Sequence, residues 1–192
     1  MPKITKLWQL YILPLLVVGI LLIGDQIGFF YNSNQPFDKI AEHTTALVEI
    51  DPTTLEQAYV EEVVDGDTIK LANGKSVRYI GIDTPETKHP SKPVQCYGKE
   101  ASQKNKELVE GKTIYLEKDV SETDRYDRLL RYIYLPNPED QTEALFVNEY
   151  LVEQGYAKIL TYPPDVKYHE VFQNALQKAQ KEQRGLWGTC TK

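Results

Sequence analysis

Between Tyr59 and Ile82 the sequence leaves room for little besides antiparallel strands. Tyr59 to Leu71 carries Val60, Val63, Val64 and Ile69 in near alternation and is broken by Asp65-Gly66-Asp67, a turn or bulge. Asn73-Gly74 then makes a tight hairpin turn, whose central positions need positive φ, into a second run from Lys75 to Ile82. Connections this short force the two runs side by side, and the residues that carry chemistry travel with them. Asp67 lies at the first turn, Arg78 within the second run, and Asp83 and Glu86 in the segment Asp83-Thr84-Pro85-Glu86-Thr87 that leaves it.

Three carboxylates and a guanidinium on neighbouring strands suit a hard cation beside a phosphate. A cation such as calcium takes oxygen ligands from carboxylates, backbone carbonyls and water, so Asp67 and Asp83 together can hold one ion and leave positions open. The metal then polarises a phosphoryl oxygen or orients a water. A phosphate under in-line attack gathers charge on its equatorial oxygens, which a planar guanidinium with several N–H donors matches better than an ammonium. Arg78 is one candidate for that part, and Arg128 in Thr123-Asp124-Arg125-Tyr126-Asp127-Arg128 is a second. Glu86 follows Asp83 by three residues, beyond a proline that stiffens the turn, and is the candidate general base on the attacking water. Each motif alone has a plainer reading as a hairpin turn, a capped strand end or a solvated strand arginine. In combination they describe phosphodiester hydrolysis.

The same motifs, with Asp83-Thr84-Pro85-Glu86-Thr87-Lys88-His89-Pro90 and Tyr97-Gly98-Lys99-Glu100-Ala101 in order between them, resemble the thermonuclease (staphylococcal nuclease) family. The similarity runs from about Tyr59 to Trp187. The resemblance implies catalytic roles for Arg78, Glu86 and Arg128, and calcium held by Asp67, Asp83 and the Thr84 carbonyl. It also implies an endonuclease on DNA and RNA that cuts the 5′-oxygen–phosphorus bond and leaves 3′-phosphates. Arg125 and Tyr126 fall where the family contacts a terminal phosphate. One departure concerns stacking: the family's tyrosine pair is replaced by Ala157-Lys158-Ile159-Leu160-Thr161-Tyr162-Pro163-Pro164, in which Tyr162 alone remains, with Tyr168 further on. Stacking on an aromatic contributes roughly 1–3 kcal/mol per base, so affinity or base preference is expected to change while the chemistry stays. The competing class is a non-catalytic binding module of the same fold, and the presence of Asp67, Arg78, Asp83, Glu86 and Arg128 argues against it.

The remaining periodicity predicts a helix over Lys99–Glu110 ending at Gly111, strands at Thr113–Lys118 and Leu129–Leu135, a helix over Glu143–Gln154 stopped by Gly155, and an amphipathic helix over Asp165–Arg184. Five strands with three helices suit an α+β fold built on an OB-fold barrel, which is also the family's fold.

Ahead of this domain, Leu7 to Gly24 is uncharged and follows Lys3 and Lys6, which fits a membrane-spanning helix with its N-terminus inside and the domain outside. A cleaved signal peptide is the rival, although Gly24-Asp25-Gln26-Ile27-Gly28 offers no small-residue cleavage pattern. Either exports the domain. Residues 25–56 read as a stalk, and residues 57–192 as the domain. The two cysteines, Cys96 and Cys190, are a disulfide candidate in an extracytoplasmic protein, whereas His43, His89 and His169 lack ligand spacing. No protein partner is implied and a monomer is expected. A net charge of −6 departs from the basic surface of a typical nucleic-acid binder, so any positive cleft has to be local.

Overall fold

The computed structural model describes residues 36–41, 44–87 and 93–190. The chain divides into two units, Met1–Lys39 and Ile40–Lys192. The expected span over residues 7–24 lies outside the described residues, as do His43 and His89. Among the described residues no helix is long and apolar enough to cross a membrane. A short helix, α1 (Pro36–Ala41), is the first described element.

Five strands of the larger unit close on themselves. Strand β2 (Glu56–Asp65) pairs antiparallel with β3 (Thr68–Leu71), and β3 pairs antiparallel with β4 (Ser76–Tyr79). Strand β4 runs parallel to β7 (Leu129–Pro136), β7 is antiparallel to β6 (Thr113–Glu117), and β6 returns to the first half of β2. Closure leaves the ring no free edge. The ten-residue β2 serves two neighbours because its register shifts between Val60 and Glu62 and again between Val63 and Asp65; such bulges bend a strand toward a second partner. Val60, Ile69, Val77, Ile114 and Ile133 are wholly inaccessible inside the ring. This is an α+β fold with a five-stranded mixed barrel, consistent with the expected OB-fold.

Three helices of seven or more residues pack on it: α2 (Gly98–Val109), α3 (Val147–Glu153) and α4 (His169–Lys181). A short α5 (Leu186–Thr189) follows. Two buried asparagines fasten the first two to the barrel. Asn105 of α2 accepts from the Tyr79 hydroxyl (2.9 Å) and donates to the Asp65 carbonyl (3.1 Å). Asn148 of α3 accepts from the Ile133 N–H (2.9 Å) and donates to the Ile80 carbonyl (2.9 Å).

Three features differ from the sequence reading. The expected single strand to Ile82 is two strands, β4 and β5 (Gly81–Asp83), because Gly81 adopts φ +80°. Strand β5 leaves the barrel and pairs with β9 (Lys158–Leu160). The start of the expected helix from Glu143 is a strand, β8 (Glu143–Phe146), paired with both β7 and β1 (Leu47–Glu49). Ala144, Leu145 and Phe146 are all buried, and an apolar run buried on both faces has no period by which to tell strand from helix. Residues 44–56, expected in the stalk, belong to the domain through β1 and through Glu153. That carboxylate, fully buried at the end of α3, accepts from the Thr44 hydroxyl, the Thr45 N–H (3.1 Å) and Lys178. Burial pushes the Glu153 carboxyl up, but these donors hold it below the ordinary range. The expected bond between Cys96 and Cys190 is present, closing a separation of 94 residues, and for a loop of that size the chain-entropy model gives about 4–5 kcal/mol.

Glu149, one turn before Glu153 on α3, has its carboxyl pushed up to about 7, first by burial and then by the Glu153 charge, with Lys178 opposing. A carboxyl whose folded pKa is raised binds more protons folded than unfolded, so its destabilising effect is absent below the unfolded value of about 4.3 and complete above the folded one. Glu149→Gln is therefore expected to raise the Tm relative to the parent at pH 8, with the difference closing as the pH falls to 5. Parallel curves of Tm against pH for the two proteins would contradict the raised pKa.

Candidate active site

Asp67 forms the floor of the site. Its side chain is almost wholly buried, and its Oδ2 accepts from the Thr84 N–H (2.7 Å) and the Thr84 hydroxyl (2.9 Å), while Oδ1 accepts from Thr68 Oγ1 (3.2 Å). The turn that presents it cannot carry a side chain at Gly66, because a Cβ there would lie 2.6 Å from Thr84 Oγ1. Asp65, on the other side of the glycine, accepts from the Asp67 N–H (3.1 Å). Burial first, and then the Asp67 charge, push the Asp65 carboxyl up to about 6.

Arg78 stands opposite Thr68 in the β3–β4 register, which brings its guanidinium to Asp67. Nη2 lies 3.2 Å from Asp67 Oδ2 and donates to Asp83 Oδ1 at 3.0 Å; Nη1 donates to the Tyr79 and Ile82 carbonyls, both at 2.9 Å. One nitrogen thus joins the two carboxylates expected to hold a metal. The donor set fits a hard cation: two carboxylates converge within a few ångströms, with the Thr84 backbone adjoining both, and all are oxygen donors. Among the described residues no group of three or more His, Cys, Asp or Glu side chains could hold a metal. These two carboxylates and one carbonyl would therefore leave the remaining positions to water or substrate.

A cleft of about 620 Å³ opens beside Arg78 and is lined also by Arg125, Tyr126, Arg128, Tyr162 and Asp165. The loop before β7 that supplies the arginines is organised by Asp124. Its Oδ1 accepts from the Tyr126 N–H (2.9 Å) and the Arg128 N–H (3.1 Å), and its Oδ2 accepts from Arg128 Nε (2.7 Å), with Arg128 Nη2 at 2.6 Å. Burial favours protonated Asp124, but Arg128 and the two N–H groups hold it below the usual carboxylate range. The Tyr126 ring has the Arg125 guanidinium at 4.8 Å and that of Arg128 at 5.4 Å from its centroid. Tyr126 (65% exposed) and Tyr162 (67% exposed) flank the opening and are available for stacking.

Of the residues expected at the site, Arg78, Arg128, Arg125, Tyr126 and Tyr162 share one cleft, Asp67 and Asp83 meet at the Arg78 guanidinium, and Thr84 is bonded to Asp67. Glu86 is not among the cleft-lining residues. It sits two residues beyond Thr84, and its Oε1 accepts from the Thr87 N–H (2.9 Å). Tyr168 is away from the site, its hydroxyl donating to Glu117 (2.9 Å) and meeting the Tyr134 hydroxyl (3.1 Å). His169 lies on the surface, within 3.2 Å of Thr161 Oγ1. Sequence reasoning missed the roles of Asp124 and of Asp165, whose Oδ1 accepts from the Val120 (3.0 Å) and Ser121 (2.8 Å) N–H groups and ties down the approach to the arginine loop. For Asp124 a signal existed, since an aspartate reaching N–H groups two and four residues on is a common way to close such a loop.

The model of the staphylococcal nuclease homologue family matches residues 76–189. The thermonuclease of Staphylococcus hyicus is 42% identical over 136 residues, covering 69% of this chain and 76% of that protein. The chain belongs to the staphylococcal nuclease family. The thermonuclease of Staphylococcus intermedius is 39% identical over 135 residues, with the same shares of 69% and 76%. Endonuclease YncB of Bacillus subtilis (strain 168) is 40% identical over 133 residues, 67% of this chain and 60% of that protein.

If Asp124 fixes Arg128, Asp124→Ala is expected to lower phosphodiester hydrolysis by about 10²-fold, the cost of a misaligned reacting group, in a protein that still unfolds cooperatively. Unchanged rates in that variant would mean that Arg128 needs no such support.

Proposed function

We propose that the protein is a calcium-dependent extracytoplasmic endonuclease hydrolysing DNA and RNA by 5′-O–P cleavage, with 3′-phosphate products. That it is a thermonuclease-like hydrolase of nucleic acid follows from its family and its relatives. The calcium requirement, the bond cut and the location are our proposal. The observation that carries it is the convergence of Asp67 and Asp83 on the Arg78 guanidinium, at the edge of a cleft that also holds Arg128.

In this reading Asp67, Asp83 and the Thr84 carbonyl would hold the calcium, which would supply Lewis-acid polarisation of a phosphoryl oxygen. Glu86 takes a proton from the attacking water as its oxygen bonds to phosphorus. Arg78 and Arg128 donate to the equatorial oxygens where charge gathers, and the bond from phosphorus to the 5′-oxygen breaks; that oxygen takes up a proton from water and leaves as a 5′-hydroxyl, with the phosphate remaining on the 3′-oxygen. Arg78 is fixed by two carbonyls and two carboxylates before substrate arrives, so little reorganisation is needed in the transition state. Tyr126 and Tyr162 offer ring faces to the bases. An extracytoplasmic position, anchored by residues 7–24 or secreted after their cleavage, is supported by the uncharged run behind Lys3 and Lys6 and by the disulfide, which persists in oxidising compartments.

The test is hydrolysis of single- and double-stranded DNA and of RNA by the full chain, with calcium, with magnesium and with a chelator, followed by end-group analysis. Calcium-dependent cutting with 3′-phosphate ends is expected, and Arg78→Ala, Glu86→Ala and Arg128→Ala should each lower kcat by orders of magnitude in a folded protein. Full activity in the combined Glu86→Ala, Arg128→Ala protein would remove the mechanism. A folded protein that binds nucleic acid without cutting it would instead be a binding module.

A further inference from the structure

Glu86 is held differently from the arginines. Its N–H donates to Gln95 Oε1 (3.0 Å), and the Gln95 N–H donates back to the Glu86 carbonyl (2.9 Å), so two bonds join residues nine apart. The next residue, Cys96, is bonded to Cys190, with the two Cα atoms 6.0 Å apart. Cys190 is itself seated: its N–H donates to the Leu186 carbonyl, and the N–H of the buried Leu186 donates to the Gly155 carbonyl, both at 2.9 Å. Gln95 is tied on its other side too, since the Gly98 N–H donates to its carbonyl (3.1 Å). A Cβ at Gly98 would lie 2.9 Å from the Pro85 carbonyl and 3.1 Å from that of Glu86, so the first residue of α2 lies directly against the backbone carrying Glu86.

We infer that Gln95 is a positioning residue for Glu86 and that the Cys96–Cys190 bond is the anchor that keeps Gln95 in place. The inference rests on the reading of Glu86 as the general base. Arg78 is held by Asp67, Asp83 and two carbonyls, and Arg128 by Asp124; none of those bonds involves the segment from Gln95 to Gly98. Loosening Gln95 therefore disturbs proton abstraction and leaves phosphate binding as it was. A covalent anchor suits this segment because the two hydrogen bonds that join Gln95 to Glu86 are neutral, each of modest net strength, and a base displaced by about 1 Å can cost 10²-fold in rate.

The experiment compares the full chain with Gln95→Ala, Gln95→Glu and the paired Cys96→Ser, Cys190→Ser protein on a single-stranded DNA oligonucleotide with calcium, well below the lowest Tm of the set. Gln95→Ala is expected to lower kcat by about tenfold with KM within about twofold of the parent. Gln95→Glu, which retains an oxygen acceptor for the Glu86 N–H, is expected to keep most of the activity. The paired serine protein, with Gln95 intact, is expected to lose kcat in the same sense. Introduced into a Glu86→Ala protein, Gln95→Ala should cost nothing further, because a positioning residue has no effect once the group it positions is gone. A parent that cuts, with Gln95→Ala at parental kcat or with an equal loss in the Glu86→Ala background, overturns the role of Gln95 and leaves the nuclease reading standing. Parental kcat in the paired serine protein overturns the anchoring role. A parent that cuts nothing overturns both the nuclease reading and this inference.

Discussion

The contact of Asp67 with Thr84 and Arg78 ties together parts of the chain that would otherwise be separate. A carboxylate removed from water is costly unless it is paired and hydrogen-bonded, and Asp67 meets that requirement only when the β2–β3 turn, the middle of β4 and the end of β5 come to one point. Gly66 permits the approach by leaving Thr84 room, and the β3–β4 register supplies the guanidinium. The arrangement is thus fixed before any substrate arrives, and the barrel is the means of fixing it. Breaking such a node by removing one partner strands the other charge, which is why the pieces depend on each other more than their separate bonds suggest.

Around this node the molecule uses buried polar side chains as pins. Asn105 holds α2 to the carbonyl of Asp65, on the same turn that carries Asp67, and Asn148 holds α3 across β7 and Ile80. Glu153 extends the scheme by gathering the Thr44-Thr45 backbone and Lys178 of α4 onto the end of α3. In a low-dielectric interior a satisfied network of this kind specifies one arrangement, because any alternative packing leaves donors or acceptors unpaired. The domain accordingly includes Thr44 and Thr45, ahead of the barrel itself.

How much of this could be read in advance depended on whether the information was local. The hairpins around Asp65-Gly66-Asp67 and Asn73-Gly74 and the amphipathic faces of α2 and α4 announce themselves over a few residues. The pairing of Asp67, Arg78 and Asp83 follows from strands that short turns must set side by side. Glu143-Ala144-Leu145-Phe146 gave no such signal: its role as a strand is set by β1 and β7 on either side, and β1 in turn is three residues long and marginal without β8. The break at Gly81 is likewise decided by tertiary context, since β5 needs β9, which lies far along the chain. Arg125, Tyr126 and Arg128 could be named from the sequence, and the bonds of Asp124 to N–H groups two and four residues on were within reach of the same local reading; the role of Asp165 was not, because its partners Val120 and Ser121 lie 45 and 44 residues away.

An acidic chain that acts on a polyanion poses an electrostatic question, and the cleft shows how the acidity is kept out of the way. The two carboxylates among its lining residues face inward onto the protein: Asp124 is engaged by Arg128 and two N–H groups, and Asp165 by the N–H groups of Val120 and Ser121. A guanidinium has five N–H donors in a planar fork, so Arg128, which spends two of its nitrogens on Asp124, still has an edge to offer a phosphate, while both Nη groups of Arg78 are already directed at two carbonyls and two carboxylates. Long-range attraction is therefore weak here, and what the cleft offers in its place is two guanidiniums held at its wall, Arg78 by carboxylates and carbonyls and Arg128 by Asp124. Preorganised donors in a partly enclosed cleft are worth more than the same charges spread over a wet surface, because little solvent or side-chain reorganisation is left to perform when substrate arrives. On this argument the net charge of the chain affects how quickly nucleic acid arrives, and the bonds of Asp67, Asp83 and Asp124 set how the two guanidiniums of the cleft are held.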